Sequence, residues 1–317
     1  MRALFLLASS FCIAFISTAA SGQSYPARPI RIIVPFGPGG GADAQARLIA
    51  ESLKQQLGQP VIVDNRAGAS SSIGFRLLSQ AEPDGYTIGM ITSAAAILPA
   101  TLPGYDIDPV KGFSMITQYN RSDYSIVVNK TLPVGNLDEL LRYARSSPEK
   151  FNLGGGGGHM DLVAAYLGEQ AKLRWSVVKY KGSAPVRLAL LSGEVTAAIE
   201  VPGYAKEMDD AGKLRFIAVT GAQRGTEWPA IPAVAEKIPG FEASFWWGFA
   251  GPRGLPSSIV KTLNGAIRHA VQTPAVQEAL RRDGAIGVTG TPEDLERLMA
   301  SYAKEWGGIA RKFNITQ

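Results

Sequence analysis

The sequence predicts an α/β protein of two lobes, and three observations carry that prediction. Short apolar runs rich in Ile and Val alternate with segments of helical periodicity, the order that winds a parallel sheet with helices. A unit of strand, glycine loop and helix occurs twice, at residues 30–47 and again at residues 151–170. No tandem repeat, low-complexity linker or later membrane-length apolar stretch interrupts the pattern. Two such units imply two lobes with a cleft between them.

At the N-terminus, Arg2 precedes the apolar run Ala3–Ile16 and the small residues Ser17–Gly22, with Thr18 and Ala20 in the small-x-small relation that a signal peptidase reads. Residues 1–24 are therefore expected to be a secretory signal peptide, too short for a membrane span. Cys12, the single cysteine of the 317 residues, lies inside it and lacks a lipobox-like context, so no lipid anchor is expected. An exported chain of roughly 290 residues without disulfides must be held by its core, and that length suffices. The formal net charge is +5, but Lys and Arg are scattered and no basic run carries interleaved aromatics. Nucleic acid is excluded as a partner on that ground, while a mild positive excess suits an anionic ligand.

Residues 30–47 organise the rest. Ile30, Ile32, Ile33 and Val34 read as a buried strand. Pro35 to Gly41 holds two prolines and four glycines and cannot continue it. From Ala42 a helical stripe of Leu48, Ile49, Leu53 and Leu57 begins. The loop thus offers bare backbone N–H groups beside the positive end of a helix, where carboxylate or phosphate can sit. Gly37-Pro-Gly-Gly-Gly-Ala42 also fits the dinucleotide pattern G-x-G-x-x-A, although Pro38 removes an N–H from the phosphate-facing turn. A third reading is a turn that only lets strand and helix pack closely.

In chain order, residues 60–64 form a second strand, 73–81 a helix and 86–91 a third strand ending at Thr92 and Ser93. Parallel sheets bind ligands outside the carboxyl ends of their strands, so Gly37–Gly41 and Thr92-Ser93 face one crevice. Residues 99–112 read as irregular, 113–118 and 124–129 as strands, and Asn136 caps a helix to Arg145. Residues 151–153 are a short strand, Gly154–Gly158 a loop of five glycines, and His159 opens a helix to Gln170. Strands follow at 175–180, 195–199 and 214–219, with helices at 183–192, capped by Ser183, and 204–211. Residues 224–240 are proline-rich, 245–250 a strand with two tryptophans, and the end is helical, the last helix starting at Thr291-Pro292.

Catalytic chemistry is thin. The two histidines stand far apart, and no H-E-x-x-H, C-x-x-C or G-x-S-x-G motif is present, so no metal and no cofactor is expected. His159 fits either a ligand contact or a loop cap. Glu200, at a strand end, fits a ligand acceptor, but a solvated carboxylate is the simpler reading. Of Trp246 and Trp247, on opposite faces, one is expected in the core and the other at the cleft. Asp43 in the first helical turn stabilises that helix end.

These pieces resemble the exported substrate-binding receptors of tripartite tricarboxylate transporters, often called Bug receptors. The resemblance runs through nearly the whole exported chain: Tyr25-Pro-x-x-Pro29, Pro35-Phe-x-Pro-Gly-Gly-x-x-Asp43, Gly58-Gln-Pro with Asn65-Arg66, Pro83-Asp-Gly-Tyr86, Tyr180-Lys-Gly182, Gly212-Lys-Leu-Arg215 with Ala218-Val-Thr220, and Trp246-x-Gly248. It implies a two-lobed periplasmic binding protein fold, type II-like, with lobe 1 at residues 25–124 plus 229–317 and lobe 2 at 125–228. It implies capture of a small organic acid in the periplasm by a monomer, and delivery to the permease subunits of such a transporter or, for an orphan receptor, to a sensor. The family's binding positions fall on Phe36, Gly37, Pro38, Gly39, Gly40 and Gly41, on Thr92 and Ser93, on Gly157, Gly158 and His159, and on Glu200. Gly158 stands where the family often has Ser or Thr, and Glu200 where it often has Asp, so the solute is not inherited from a relative. The alternative is an exported α/β enzyme that uses the glycine loop as an oxyanion or phosphate site, with Ser93 and His159 as its only candidates.

Overall fold

A computed structural model describes residues 25–180 and 182–316. The expected signal peptide, and Lys181 of the Tyr180-Lys-Gly182 turn, lie outside the described residues. Among the described residues no helix is long and apolar enough to cross a membrane.

The expected two-lobed α/β architecture is present as two mixed sheets. In the first, β1 (Ile30–Val34) lies between β2 (Val61–Asn65) and β3 (Thr87–Thr92), all parallel. Four of the five β1 residues are buried, as a parallel strand covered on both faces requires. Helix α1 (Gly41–Leu57) buries Ala46, Ile49, Ala50 and Leu53 and stops at Gly58, whose φ of 69° supplies the left-handed cap. Helix α2 (Ser72–Ser79) links β2 to β3.

Residues 93–101 differ from expectation. They form a helix, α3 (Ser93–Thr101), rather than a strand end running into irregular chain. The helix is buried nearly all round through Ala95, Ala96, Ile97 and Leu98, so it carries no polar face to reveal its period, and Pro99 inside it reads as a breaker. Strand β4 (Phe113–Asp123) also outruns the expected end at Gln118. In its polar second half Asn120 and Ser122 are buried and satisfied by neighbours, with Asn120 Oδ1 accepting the Trp247 N–H at 3.0 Å.

The second sheet begins with β5 (Ser125–Asn129). It is followed by α4 (Leu137–Ser146), capped by Asn136 as expected, β6 (Asn152–Gly155), α5 (His159–Gln170), β7 (Ser176–Lys179), α6 (Ser183–Ser192), β8 (Ala197–Glu200), α7 (Pro202–Asp210) and β9 (Leu214–Val219). Its order is β7-β6-β8-β5-β9. Gly154 and Gly155 belong to β6, so the expected five-glycine loop shrinks to Gly156–Gly158. Ser183 is the first helical residue of α6; Gly182 is its cap, and no side chain caps it. The chain returns to the first sheet through β10 (Ser244–Pro252), then adds α8 (Ser257–Val271), α9 (Pro274–Asp283), β11 (Ala285–Gly287) and α10 (Pro292–Lys312), giving the order β11-β4-β10-β3-β1-β2. In the structure residues 231–234 still serve the second sheet: Val219 donates its N–H to Pro232 O at 2.9 Å, and Ala233 packs with Phe216 and Val219.

Strand directions orient the two sheets. β3 and β4 are both antiparallel to β10, so β4 shares the sense of β1 and β3 and ends at their carboxyl edge. Ser125, which opens β5, lies opposite Glu200, the last residue of β8. The single residue Tyr124 therefore joins the carboxyl edges of the two sheets. The second crossing does the same, leaving β9 at Val219 and entering β10 at Ser244, opposite Asp123. Thr220 laces the crossings together. Its Oγ1 accepts the Tyr124 N–H at 2.8 Å and donates to Ala243 O at 2.5 Å, while its N–H donates to Tyr124 O at 2.9 Å. Thr220→Val keeps the shape and strands a buried N–H, so the urea-unfolding free energy should fall by about 1–2 kcal/mol. An unchanged midpoint and slope would show that β-pairing alone holds the crossings.

On one flank the lobes share a core. Ile97 and Leu98 of α3, Met299 and Trp306 of α10, and Leu162 and Val163 of α5 belong to one buried apolar cluster. That flank is closed by packing, while the carboxyl edges carry the two crossings and the loops between them.

Candidate functional site

Each parallel strand reaching these edges feeds a helix: β1 to α1, β3 to α3, β6 to α5, β7 to α6 and β8 to α7. Their N-termini bring unpaired N–H groups and positive dipole ends to the gap between the sheets. The two glycine loops are built alike. In lobe 1, Gly39 has φ of 82° and donates its N–H to Asp43 Oδ2 at 2.9 Å. In lobe 2, Gly157 has φ of 85° and donates its N–H to Asp161 Oδ1 at 3.0 Å. Each loop is thus folded back by an aspartate four residues on, in the first turn of the following helix.

In lobe 1, Arg47 Nε also donates to Asp43 Oδ2, at 3.1 Å, and together with the Gly39 N–H it holds the Asp43 carboxyl below its ordinary range. Asp43 therefore already takes one loop amide. The N–H groups of Gly41, Ala42 and Asp43 precede the first helical bond, from Ala44 N–H to Gly40 O at 3.0 Å, and have no acceptor within the helix. Gly37–Gly41 are exposed. Phe36 anchors the loop, its carbonyl accepting from Asn65 Nδ2 at 3.1 Å and its ring 6.0 Å from that of Trp247. Trp246 is buried and Trp247 half-buried, as strand alternation predicts. Thr92 and Ser93 are buried at the same edge, where Thr92 Oγ1 caps α3 by accepting the Ala94 N–H at 3.2 Å.

In lobe 2, burial raises the Asp161 carboxyl, against the pull of the Gly157 N–H. Gly155 has to be glycine, because a Cβ there would run into that carboxylate. Sequence reasoning passed over Asp161, although the repeated spacing Gly39-x-x-x-Asp43 and Gly157-x-x-x-Asp161 could have found it.

The imidazole of His159 does not offer itself to a ligand. Its ring is buried, with Trp306 edge-on at 4.2 Å and Tyr302 at 6.1 Å, and Nδ1 lies 3.1 Å from Tyr124 Oη. Burial lowers its pKa to about 3, so the ring is neutral, and Nε2 has no partner among the described residues. The solvated reading of Glu200 is also corrected. Glu200 is 0% exposed and is held by Arg187, with Nε to Oε1 at 3.2 Å and Nη2 to Oε2 at 3.0 Å. Burial raises its carboxyl; Arg187 and the Val201 N–H, which donates to Oε2 at 3.2 Å, pull it back down. Arg187 in turn lies over the Tyr204 ring, 3.8 Å from its centre. No local signal marks Arg187, because its pairing joins α6 to β8.

One end of the gap is closed by a contact between lobes. A Cβ on Gly203, in the first turn of α7, would come within 2.7 Å of Arg282 O and 3.0 Å of Asp283 Cα at the end of α9. Asp283 Oδ2 accepts from Gln45 Nε2 of α1 at 2.7 Å. The edge of the first sheet thus carries Phe36–Gly41 and Thr92-Ser93, and that of the second carries Gly157, Gly158 and Glu200, with the His159 ring enclosed behind. The arrangement suits an anion received by main-chain amides. Among the described residues no three His, Cys, Asp or Glu cluster to hold a metal.

Residues 45–315 match the tripartite tricarboxylate transporter family receptor. The chain belongs to that family. This receptor is 33% identical to the protein BugT of Bordetella pertussis over 316 residues, which cover 98% of this chain and 97% of that protein. Among solved structures it resembles an R. palustris protein with adipate, at a TM-score of 0.83 and 30% identity over 90% of this chain and 97% of that one. It also resembles MatC of Rhodopseudomonas palustris with bound malate, at a TM-score of 0.79 and 26% identity over 90% of this chain and 99% of that one. Membership in a family of transport receptors gives no support to the enzyme alternative.

Proposed function

We propose that this receptor is a periplasmic binding protein, not an enzyme, that captures a small organic acid between its lobes as a monomer and hands it to the permease subunits of a tripartite tricarboxylate transporter or to a sensor. One observation carries the reading: two glycine loops tied back by the same Gly-to-Asp contact open helix N-termini onto facing edges of two sheets. The amides of Gly41, Ala42 and Asp43 receive the carboxylate, Phe36, Gly37, Pro38, Gly39 and Gly40 shape that loop, Thr92-Ser93 and Gly157-Gly158 flank the solute, and the lobes close about Tyr124 and Thr220. The adipate and malate held by structural relatives agree with a carboxylated solute.

A thermal-shift screen of organic acids tests this. A solute at a hundred times its Kd adds about 2.7 kcal/mol to the folded state, which raises the melting temperature of a chain of this size by roughly 5 °C. No shift from any mono-, di- or tricarboxylate at millimolar concentration would remove the proposal.

A further inference from the structure

Resting on that reading, the structure points beyond the loop amides to the other end of the solute. We propose that Arg187 takes a second carboxylate of the bound acid, and that Glu200 is the residue that positions it rather than a ligand contact.

The guanidinium has two edges able to grip a carboxylate, one formed by Nε and Nη2 and the other by Nη1 and Nη2. Glu200 occupies the first edge with two bonds, at 3.2 and 3.0 Å. Tyr204 covers a face, at 3.8 Å. The second edge has no acceptor among the described hydrogen bonds, and the side chain is 33% exposed whereas that of Glu200 is 0% exposed. The cation is thus held on one edge and over one face, and its second edge is free of the described acceptors.

Its place in the fold sets which way that opening serves. Glu200 ends β8 opposite Ser125, the residue after the Tyr124 crossing, and so lies on the carboxyl edge. Tyr204 is in the first turn of α7 and Arg187 in the second turn of α6, both rising from the same edge. The start of α6 adjoins the lobe 2 glycine loop, since a Cβ on Gly156 would lie 3.5 Å from Ser183 N. A solute anchored by one carboxylate on the lobe 1 amides therefore extends towards a pre-oriented guanidinium in lobe 2. Rigid placement is what makes such a contact selective, because little side-chain freedom is lost on binding. The same geometry disfavours a solute bearing an ammonium. Glu200 accepts from Arg187 on both oxygens and from the Val201 N–H, and is out of solvent reach, so it offers an ammonium no free oxygen.

The test is calorimetric titration with acids matched in chain length: succinate, glutarate and adipate against butyrate, valerate and hexanoate. A charge-assisted pair predicts that the preferred diacid binds the wild-type protein about tenfold or more tightly than its monoacid partner. Arg187→Gln alone strands a buried carboxylate, so the working variant is the double change Arg187→Gln with Glu200→Gln, which keeps shape and removes both charges together. It should lose the diacid preference while holding the monoacid within about threefold of wild type. Glu200→Gln alone leaves Arg187 charged but holds it through one accepting oxygen instead of two, so it should shrink the diacid preference.

Two results overturn the assignment while leaving the proposed function standing. One is a folded double variant that retains the preference. The other is a folded Glu200→Gln protein whose preference is undiminished, which would show that Glu200 does not position Arg187. Binding of none of these acids to the wild type overturns the proposed function and this assignment together.

Discussion

Gly40→Leu should abolish capture of the organic acid while the protein folds as before. Gly40 caps α1 with φ of −88° and ψ of 174°, extended backbone that any residue adopts. A Cβ there meets nothing within 4 Å, so the folded chain has room for a side chain. The cost in stability is the small difference between glycine and a non-capping residue at a helix start, about 1 kcal/mol or less. The room, however, is the space in front of the α1 amides, and on the proposed function that space belongs to the carboxylate. A leucine side chain excludes it sterically and covers the donors with hydrocarbon. The affinity should fall about 100-fold or more, roughly 3 kcal/mol, with the melting temperature of the free protein changed by only a few degrees. Gly39→Leu makes a useful contrast, since φ of 82° at that position adds backbone strain and should lower the melting temperature as well. Unimpaired titration of the preferred acid into a folded Gly40→Leu protein would place the carboxylate elsewhere.

What could be read from residues alone follows from how local each signal is. The loop at residues 35–40 announces itself because prolines and glycines are incompatible with the strand before it and the helix after it, whatever the rest of the chain does. The caps at Asn136 and Thr291 are equally local, and both side chains accept from the third residue of their helices. Helix α3 was not legible because burial on all sides erases the contrast between faces on which periodicity depends. Nor was the state of Glu200, since Arg187 reaches it from a different element, and a carboxylate at a strand end looks solvated until its partner is placed. His159 shows the same limit. Its position after a glycine loop suits a ligand contact, yet Trp306 and Tyr302 arrive from the last helix of the chain and wall it in. The backbone elements of the site are thus set by neighbours in sequence, and its side-chain chemistry by neighbours across the fold.

His159 gives the other large expected effect. Acidification from pH 7 to pH 5 should destabilise the wild-type protein by roughly 2 kcal/mol more than it destabilises His159→Phe. The ring is enclosed by Tyr124, Tyr302 and Trp306, none of them a counter-ion, and burial lowers its pKa to about 3 from the ordinary 6.5. Between those values the unfolded chain takes up a proton that the folded chain refuses. The contribution of the neutral ring is therefore complete above pH 6.5 and is lost progressively as pH falls towards 3, at about 1.36 kcal/mol per pH unit. Buried carboxyls act in the opposite sense. Asp123, raised to about 6 mainly by burial, and Asp161 and Glu200, also raised, keep protons longer in the folded chain, so their contributions are lost as pH rises. They blunt the raw pH profile of each protein but are common to both and cancel in the difference. Phenylalanine preserves the ring packing against Trp306 and gives up only the bond to Tyr124 Oη, a loss that does not vary over this pH range because burial also raises the Tyr124 phenol. Urea unfolding of the two proteins at pH 7 and pH 5 measures the difference directly. Parallel losses in both would mean that the ring is hydrated in solution, and that the junction of α5 with α10 opens without any help from protonation.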